Sequence, residues 1–214
     1  MKITKYAHAC LLIEIDGARI ILDPGSWNDT PNATEIDAVL ITHEHQDHFV
    51  PAQVKAIRAR SPEVAVITHA AVGKLLEAEG IAHTVIQEGE SIRVNGVSVE
   101  SFGHDHAIIY GTTPPCRNTG YFIGGRVFVP GDALHDVPNR TVEVLALPTG
   151  GPWMKMAEAI EYAKRVKPRV VFPIHDAMYT EGFAREFVPR IVGGHLSEAG
   201  IEFRDMAPGT TKEF

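Results

Sequence analysis

Two short apolar runs and a tight turn mark the beginning of the chain. The runs, Cys10–Ile15 and Ala18–Leu22, flank the pair Asp16-Gly17. An Asp-Gly pair between two such runs is typical of a two-residue hairpin turn, because both residues accept a positive φ. The pattern therefore predicts an antiparallel hairpin within the first 25 residues.

Strand and helix patterns alternate after this hairpin. Residues 38–42 and 64–68 are apolar runs of the length expected for buried strands. Residues 51–60 and 71–79 have helical spacing, and Pro51 is tolerated in the first turn of its helix. The first half of the chain thus predicts a hairpin followed by strand–helix units.

The second half repeats this order. Hairpins are predicted around Asn95-Gly96 and Gly124-Gly125. Further strands and helices are predicted at residues 142–147, 153–166, 169–172, 183–199 and 201–203, with a kink or break at Pro189. Two sheets with helices outside them would satisfy such a pattern. No linker or low-complexity segment divides the chain, so we expect one domain over residues 1–214.

The composition and charge of the chain limit the kinds of partner it is expected to bind. Apolar residues make up 44% of the 214 residues and charged residues 22%, which is an ordinary globular balance. A formal net charge of −7 argues against a nucleic-acid partner. The two cysteines, Cys10 and Cys116, suggest neither a disulfide framework nor a thiolate metal site. No apolar stretch has membrane-spanning length, and with so few cysteines we expect a cytoplasmic protein. We expect a small-molecule substrate as its partner. A homo-oligomer is also possible.

A cluster of metal-binding residue types follows the strand at 38–42. His43, His45, Asp47 and His48 place four candidate ligands within six residues. Nitrogen and oxygen donors of this kind suit zinc, manganese or iron. An extended loop would put His43 and His45 on one side, and the turn into the next helix would move Asp47 and His48 to a neighbouring point. This arrangement suits two metal ions better than one.

The cluster resembles a known signature. His43-x-His45-x-Asp47-His48 is similar to the metal-binding motif of the metallo-β-lactamase superfamily. Three further segments resemble motifs of that family and occur in the family's order: Asp23-Pro24, Gly131-Asp132 and Ile174-His175. The compact length resembles a subgroup of small metal-dependent hydrolases that includes proteins similar to ascorbate-6-phosphate lactonase.

The resemblance implies a fold and a ligand set. The fold would be of the α/β (α+β) class, a four-layer αββα sandwich with the metals at one edge of the sheets. His43, His45 and a third histidine would bind the first metal, while Asp47, His48 and His175 would bind the second. Asp132 would bridge the two ions. We expect one or two zinc ions, although manganese or iron would suit the same donors.

Three positions have alternative interpretations. The third histidine of the first metal is His104 or His106, and similar small hydrolases favour His106. His104 would then orient a ligand or contact substrate. Asp23 is expected to hold a ligand histidine in orientation, the alternative being a turn aspartate before Pro24. His8 could reach the site, or it could be a core-edge histidine.

The resemblance also implies the chemistry. A metal-bound hydroxide would attack a small ester, lactone or phosphoester, with Asp132 between the metals and Asp47 as proton acceptor. Candidate pocket residues, each of which could instead be packed or solvated, are Trp27, Tyr110, Arg117, Trp153, Met154, Lys155 and Tyr179. The alternatives are a phosphodiesterase or nuclease, an iron-dependent oxygenase on the same fold, and a non-catalytic metal-binding protein.

Overall fold

Left-handed residue pairs form the predicted hairpin turns. In the computed structural model, which describes residues 1–214, both members of Asp16-Gly17, Asn95-Gly96 and Gly124-Gly125 have φ angles between 45° and 87°. Two successive positive φ angles reverse the chain with the twist that antiparallel strands need. All three predicted hairpins are therefore confirmed.

The first sheet contains the strands of the first half and the last strand of the chain. Its strands are β1 (Lys2–Ala7), β2 (Cys10–Ile15), β3 (Ala18–Leu22), β4 (Ala38–Leu40), β5 (Ala65–Thr68), β6 (Thr84–Val85) and β14 (Thr210–Glu213). The spatial order is β14-β1-β2-β3-β4-β5-β6. Pairing is antiparallel from β14 to β3 and parallel from β3 to β6.

The second sheet repeats this plan. Its strands are β7 (Ser91–Val94), β8 (Val97–Phe102), β9 (Gly120–Ile123), β10 (Val127–Val129), β11 (Val144–Pro148), β12 (Val170–Ile174) and β13 (Glu202–Phe203). They lie side by side in chain order, antiparallel from β7 to β10 and parallel from β10 to β13. The predicted edge strand at residues 201–203 is confirmed as β13.

Helices cover the outer face of each sheet. Helices α1 (Pro51–Arg60) and α2 (Ala70–Ala78) belong to the first half. The second half contributes α3 (Met156–Val166), two π-helical stretches (Phe183–Phe187 and Pro189–Gly193) and α4 (Gly194–Glu198). One apolar core fills the space between the sheets, and a further core lies under the helices of each half. This layer order confirms the predicted four-layer αββα sandwich.

The structure departs from the predicted elements at chain ends and at proline. β1, β6 and β14 were not predicted, because β6 and β14 are short edge strands and the apolar alternation of β1 is interrupted by the buried Lys5. Helix α3 begins at Met156 and not at residue 153, since Lys155 is its N-cap. Pro189 has no amide hydrogen, and the segment predicted as a kinked helix has π-helical turns on both sides of it. None of the helices has the length and apolar character needed to cross a membrane.

Candidate metal centre

Several residues that directly follow strands have unusual backbone conformations. His8 follows β1, Asp23 follows β3 and His175 follows β12, with φ angles of 49°, 44° and 57°. The left-handed region is unfavourable for residues with a Cβ atom, and such strain is concentrated at functional sites. Each of the three turns the chain sharply at the residue whose side chain enters a common polar cluster.

Four of the clustered residues form what we call the first ligand group: His43, His45, His106 and Asp132. One potential ligand atom from each lies within 4.8 Å of the others. Nε2 of His43 is 3.1 Å from Nδ1 of His45, and Nε2 of His106 is 3.3 Å from Oδ2 of Asp132. Three histidine nitrogens and one carboxylate oxygen therefore face a common point.

The second ligand group consists of His8, Asp47, His48 and His175. Their ligand atoms also lie within 4.8 Å of one another. Oδ2 of Asp47 is 3.1 Å from Nε2 of His8, 3.6 Å from Nε2 of His175 and 3.8 Å from Nε2 of His48. The structure thus brings His8, one of the undecided positions, into the cluster.

Asp132 belongs to the first group but also contacts two histidines of the second. Its Oδ1 is 3.2 Å from Nε2 of His48, and its Oδ2 is 3.0 Å from Nε2 of His175. Together with the contact to His106, these distances place one carboxylate in reach of ligands from both groups. An anion in this position can bridge two cations and offset their repulsion.

Asp23 and Thr42 orient two of the ligand histidines. Nδ1 of His48 donates to Oδ2 of Asp23 over 2.8 Å. Thr42 donates its hydroxyl to the same oxygen over 2.8 Å, so the hydroxyl oxygen accepts from Nδ1 of His43 at 3.0 Å. Since a neutral imidazole carries one proton, a proton on Nδ1 leaves the Nε2 lone pair facing the cluster.

Two other histidines are oriented by backbone carbonyls. Nδ1 of His106 donates to the carbonyl of Ala107, and Nδ1 of His175 donates to the carbonyl of Gly150, both over 2.6 Å. A Cβ at Gly150 would lie 2.6 Å from the ring of Tyr179, so the close approach of this loop requires glycine. Here too the Nε2 lone pair faces the cluster.

Unpartnered buried atoms indicate that the cluster fits a metal. Nε2 of His48, His106 and His175, and Oδ1 of Asp132, are buried with no hydrogen-bond partner. Leaving polar atoms buried and unpaired is costly, and it is rare in native proteins. Lone pairs from imidazole and carboxylate are the donors that bind zinc, manganese or iron. The residues present therefore fit one or two such ions.

The electrostatics of the cluster keep its carboxylates ionised. Burial alone would raise the pKa of Asp132, but His48, His175 and His43 around it hold that pKa well below its ordinary value. Burial would likewise raise the pKa of Asp47, yet the hydrogen bond from His8 and nearby histidines lower it to about 2. Both carboxylates are therefore anions at neutral pH, as metal binding requires.

His8 differs from the other histidines in its hydrogen bonds. It is completely buried, and its Nδ1 accepts from the amide of Ala177 over 3.4 Å. This contact places the single proton of the neutral ring on Nε2, which donates to Asp47. Burial lowers the pKa of His8 to about 4, so the ring is neutral near pH 7. In this arrangement His8 belongs to the second group as a residue that orients the Asp47 carboxylate, because its protonated Nε2 has no lone pair for a metal.

His104 and most predicted pocket residues lie away from the cluster. The side chain of His104 is 54% exposed, and its Nδ1 is 2.9 Å from Oε2 of Glu88. Arg117 is also exposed and pairs with Asp105. Lys155 and Tyr110 are exposed, while Met154 and Tyr179 pack against the core outside the second sheet. Trp27 lies against His8, with ring centroids 4.6 Å apart, and Trp153 lies beside His106 and His175.

Sequence reasoning missed three supporting positions. Thr42 connects His43 to Asp23, Ala107 accepts from His106, and Gly150 accepts from His175. Ala107 and Gly150 act through backbone carbonyls, which no side-chain motif encodes. The position of Thr42 between a buried strand and His43 was the one available signal.

Comparison with known proteins agrees with this geometry. The family described as beta-lactamase superfamily domain matches residues 2–175. Protein Rv0786c of Mycobacterium tuberculosis is 32% identical over 184 residues, which cover 83% of this chain and 85% of that protein. A UPF0173 metal-dependent hydrolase of Methanosphaerula palustris is 31% identical over 190 residues, 82% of this chain and 83% of the relative.

A solved structure supports the same fold. Igni18, described as a metallo hydrolase from the archaeon Ignicoccus hospitalis, superposes with a TM-score of 0.76 at 23% identity, covering 100% of this chain and 98% of that one. With the family match over most of the chain, the two sheets and the two ligand groups at their edge, these findings identify the chain as a member of the metallo-β-lactamase superfamily and a metal-dependent hydrolase.

Proposed function

We propose that the chain hydrolyses a small ester, lactone or phosphoester with one or two zinc ions held by the two ligand groups. The observation that carries this proposal is the set of buried, unpartnered lone pairs on His48, His106, His175 and Asp132. Nitrogen-rich sites with a few carboxylates are typical of zinc. When bound, such ions activate water for attack and polarise the attacked oxygen.

Asp47 is the carboxylate placed to handle the proton of the attacking water. Its side chain is 19% exposed, against 3% for Asp132. His8 donates to one of its oxygens and fixes the orientation of the carboxylate. Its pKa of about 2 makes Asp47 a weak base, so its part is to orient the water proton and pass it on. Asp132, which is almost fully enclosed, holds the two groups together.

Hydrolysis needs no further reactant. The water oxygen forms a bond to the carbonyl carbon or the phosphorus, the bond to the leaving oxygen breaks, and a water proton ends on that oxygen. For a lactone, the leaving oxygen stays attached and the product is a hydroxy acid. The chain's contribution is to position water and substrate beside the cluster, where buried ring faces exclude bulk solvent.

Metal analysis and a substrate panel test the proposal. Purified protein should contain one to two equivalents of zinc and hydrolyse at least one class among p-nitrophenyl esters, aliphatic lactones and p-nitrophenyl phosphoesters. The variant Asp132→Asn should lose metal and lose more than the roughly 10- to 100-fold in rate that removal of an outer orienting partner costs. Metal below a tenth of an equivalent, with no uptake on reconstitution, would overturn the proposal.

The rival functions give other results in the same assays. An iron-dependent oxygenase would retain iron and consume dioxygen. A non-catalytic protein would retain metal but turn over no member of the panel. Activity confined to phosphodiesters would identify a phosphodiesterase.

A further inference from the structure

A cavity of about 630 Å³ lies next to the first ligand group. This volume is within the range of small-molecule sites, which are roughly 300–1,000 Å³. Its apolar wall is formed by Ile108, Pro114, Leu134 and Trp153. We refer to it as the Trp153 cavity.

The loops that carry the ligands also form the walls of this cavity. His106 lines it directly, and Ile108 belongs to the same loop. Leu134 lies two residues after Asp132. The Trp153 ring is 5.9 Å from the ring of His106 and 5.6 Å from that of His175, measured between centroids. A group in the cavity therefore lies beside His106 of the first group and against Trp153, whose ring also neighbours His175.

The charged residues of the cavity are mainly acidic. Asp105, Glu158 and Glu161 line it, and Arg165 is the single guanidinium among the lining residues. That guanidinium donates to the carbonyl of Leu134, and the exposed Arg117 is paired with Asp105. The lining therefore contains three carboxylates against one guanidinium, so its formal charge is negative. A phosphate or carboxylate would meet a negative rim, whereas a neutral group would not.

Trp153 forms an aromatic wall of the cavity. Its side chain is only 8% exposed. A Cβ at Gly151 would lie 2.8 Å from the indole nitrogen, so the ring packs closely against this loop and is held in place by it. A fixed aromatic ring offers an apolar surface to the acyl group of a substrate.

We infer that the Trp153 cavity binds the apolar acyl or alkyl group of a neutral ester or lactone. The inference rests on the proposed hydrolytic function and narrows it from phosphoesters to neutral, apolar substrates. The cavity confers chain-length selectivity, and the acidic rim disfavours anions.

Chain-length series measure this selectivity in two ways. The metal-loaded protein is assayed with p-nitrophenyl esters from acetyl to hexanoyl and with p-nitrophenyl phosphate. Burial of each added methylene should raise kcat/KM roughly two- to fourfold. Calorimetry with neutral amides from acetamide to hexanamide should show the same increment in Kd, and hexanoate should bind more weakly than hexanamide. The calorimetric series does not depend on turnover.

Two matched variants, each replacing an exposed alanine by phenylalanine, show whether the chain-length dependence comes from the cavity. Ala157 is exposed on α3 and lines the cavity, so Ala157→Phe fills it without entering the core. This variant should remove the chain-length dependence, with the largest loss of kcat/KM for the hexanoyl ester. Ala59 is exposed on α1, over the other sheet, and Ala59→Phe should behave as the unaltered protein.

The outcomes separate this inference from the hydrolytic proposal. Hydrolysis without chain-length dependence, preference for p-nitrophenyl phosphate, or equal behaviour of Ala157→Phe and Ala59→Phe would overturn the cavity assignment and leave a hydrolase. Chain-length-dependent amide binding without hydrolysis of any ester would support the cavity and overturn the hydrolytic function. Absence of both would overturn both.

Discussion

The two ligand groups use the same chemistry but are held in different ways. In the first group, His43 and His106 are oriented by the residue next to them in sequence, Thr42 and Ala107. In the second group, the partners are distant. His48 is oriented by Asp23, and the backbone amide of His175 donates to the carbonyl of His8 over 3.1 Å.

A buried ionic network lies behind the second group. Lys5 is fully buried, and its Nζ is 2.7 Å from the Asp176 carboxylate and 2.8 Å from the carbonyl of Pro173. Arg185 contacts the same carboxylate and also pairs with Asp205. Asp176 directly follows His175, so this network fixes the strand end that carries a ligand. The immediate partners of His43 and His106 are thus sequence neighbours, whereas the second group depends on contacts between distant parts of the chain.

The histidine pair at positions 104 and 106 gives the sharpest test of this comparison. His106→Ala removes a ligand of the first group, so one equivalent of metal should be lost while the second group stays loaded. His104→Ala should keep its full metal content, because its side chain contacts Glu88 on the surface. Metal analysis with a circular-dichroism folding check measures both. Loss of metal from His104→Ala alone would reverse the assignment.

Removal of the buried lysine charge tests the network behind the second group. Lys5→Met leaves Asp176 without its fully buried cation, and breaking a buried ion pair costs about 3–5 kcal/mol of unfolding free energy. The exposed pair of Lys55 and Glu79, also 2.7 Å apart, provides the control. Lys55→Met should cost no more than about 1 kcal/mol. Urea denaturation of both variants measures the difference, and equal losses would refute the role given to burial.

Asp23→Ala tests the long-range orientation of a ligand. Without the carboxylate, Nδ1 of His48 loses its acceptor, and metal affinity in the second group should fall by about 10- to 100-fold. Asp37→Ala removes a carboxylate that accepts only from the backbone amide of Arg19, and should leave metal binding unchanged. Metal titrations of both variants measure the affinity of each binding step. The step that is missing in a titration of His106→Ala belongs to the first group. Equal weakening of both groups would contradict the comparison.

An ion pair remote from both groups should have the smallest effect. The hydrogen bond from Arg126, with Arg169 nearby, lowers the pKa of Glu143 to about 2. Because the folded-state pKa is depressed, the stabilisation is present above the unfolded value of about 4.3 and is lost as the pH falls through 2. Glu143→Gln should therefore cost up to about 1 kcal/mol at pH 7 and progressively less below pH 4. Urea denaturation of both proteins at pH 7 and below pH 4 measures this loss of unfolding free energy. The metal content should not change.

Elements whose signal lies in adjacent residues could be predicted from the sequence. The hairpin pairs, helix α1 and the cluster from His43 to His48 are of this kind, since periodicity and turn chemistry depend on near neighbours. The αββα class and the positions of Asp23, Asp132 and His175 followed from resemblance to family motifs in their order along the chain. The pairing of β1 with β14 could not be predicted, because it depends on where the end of the chain returns to the first sheet.

The sequence by itself determined which residue types can bind metal and which strands precede them. Only the tertiary structure decided that His8 enters the cluster and that His104 stays outside it, although the chain offers both as histidines beside strands. The reason is physical. A side chain becomes a ligand or an orienting partner when the backbone turns it inward, and at His8 and His175 that turn is a left-handed residue held by contacts more than 160 residues apart in the chain.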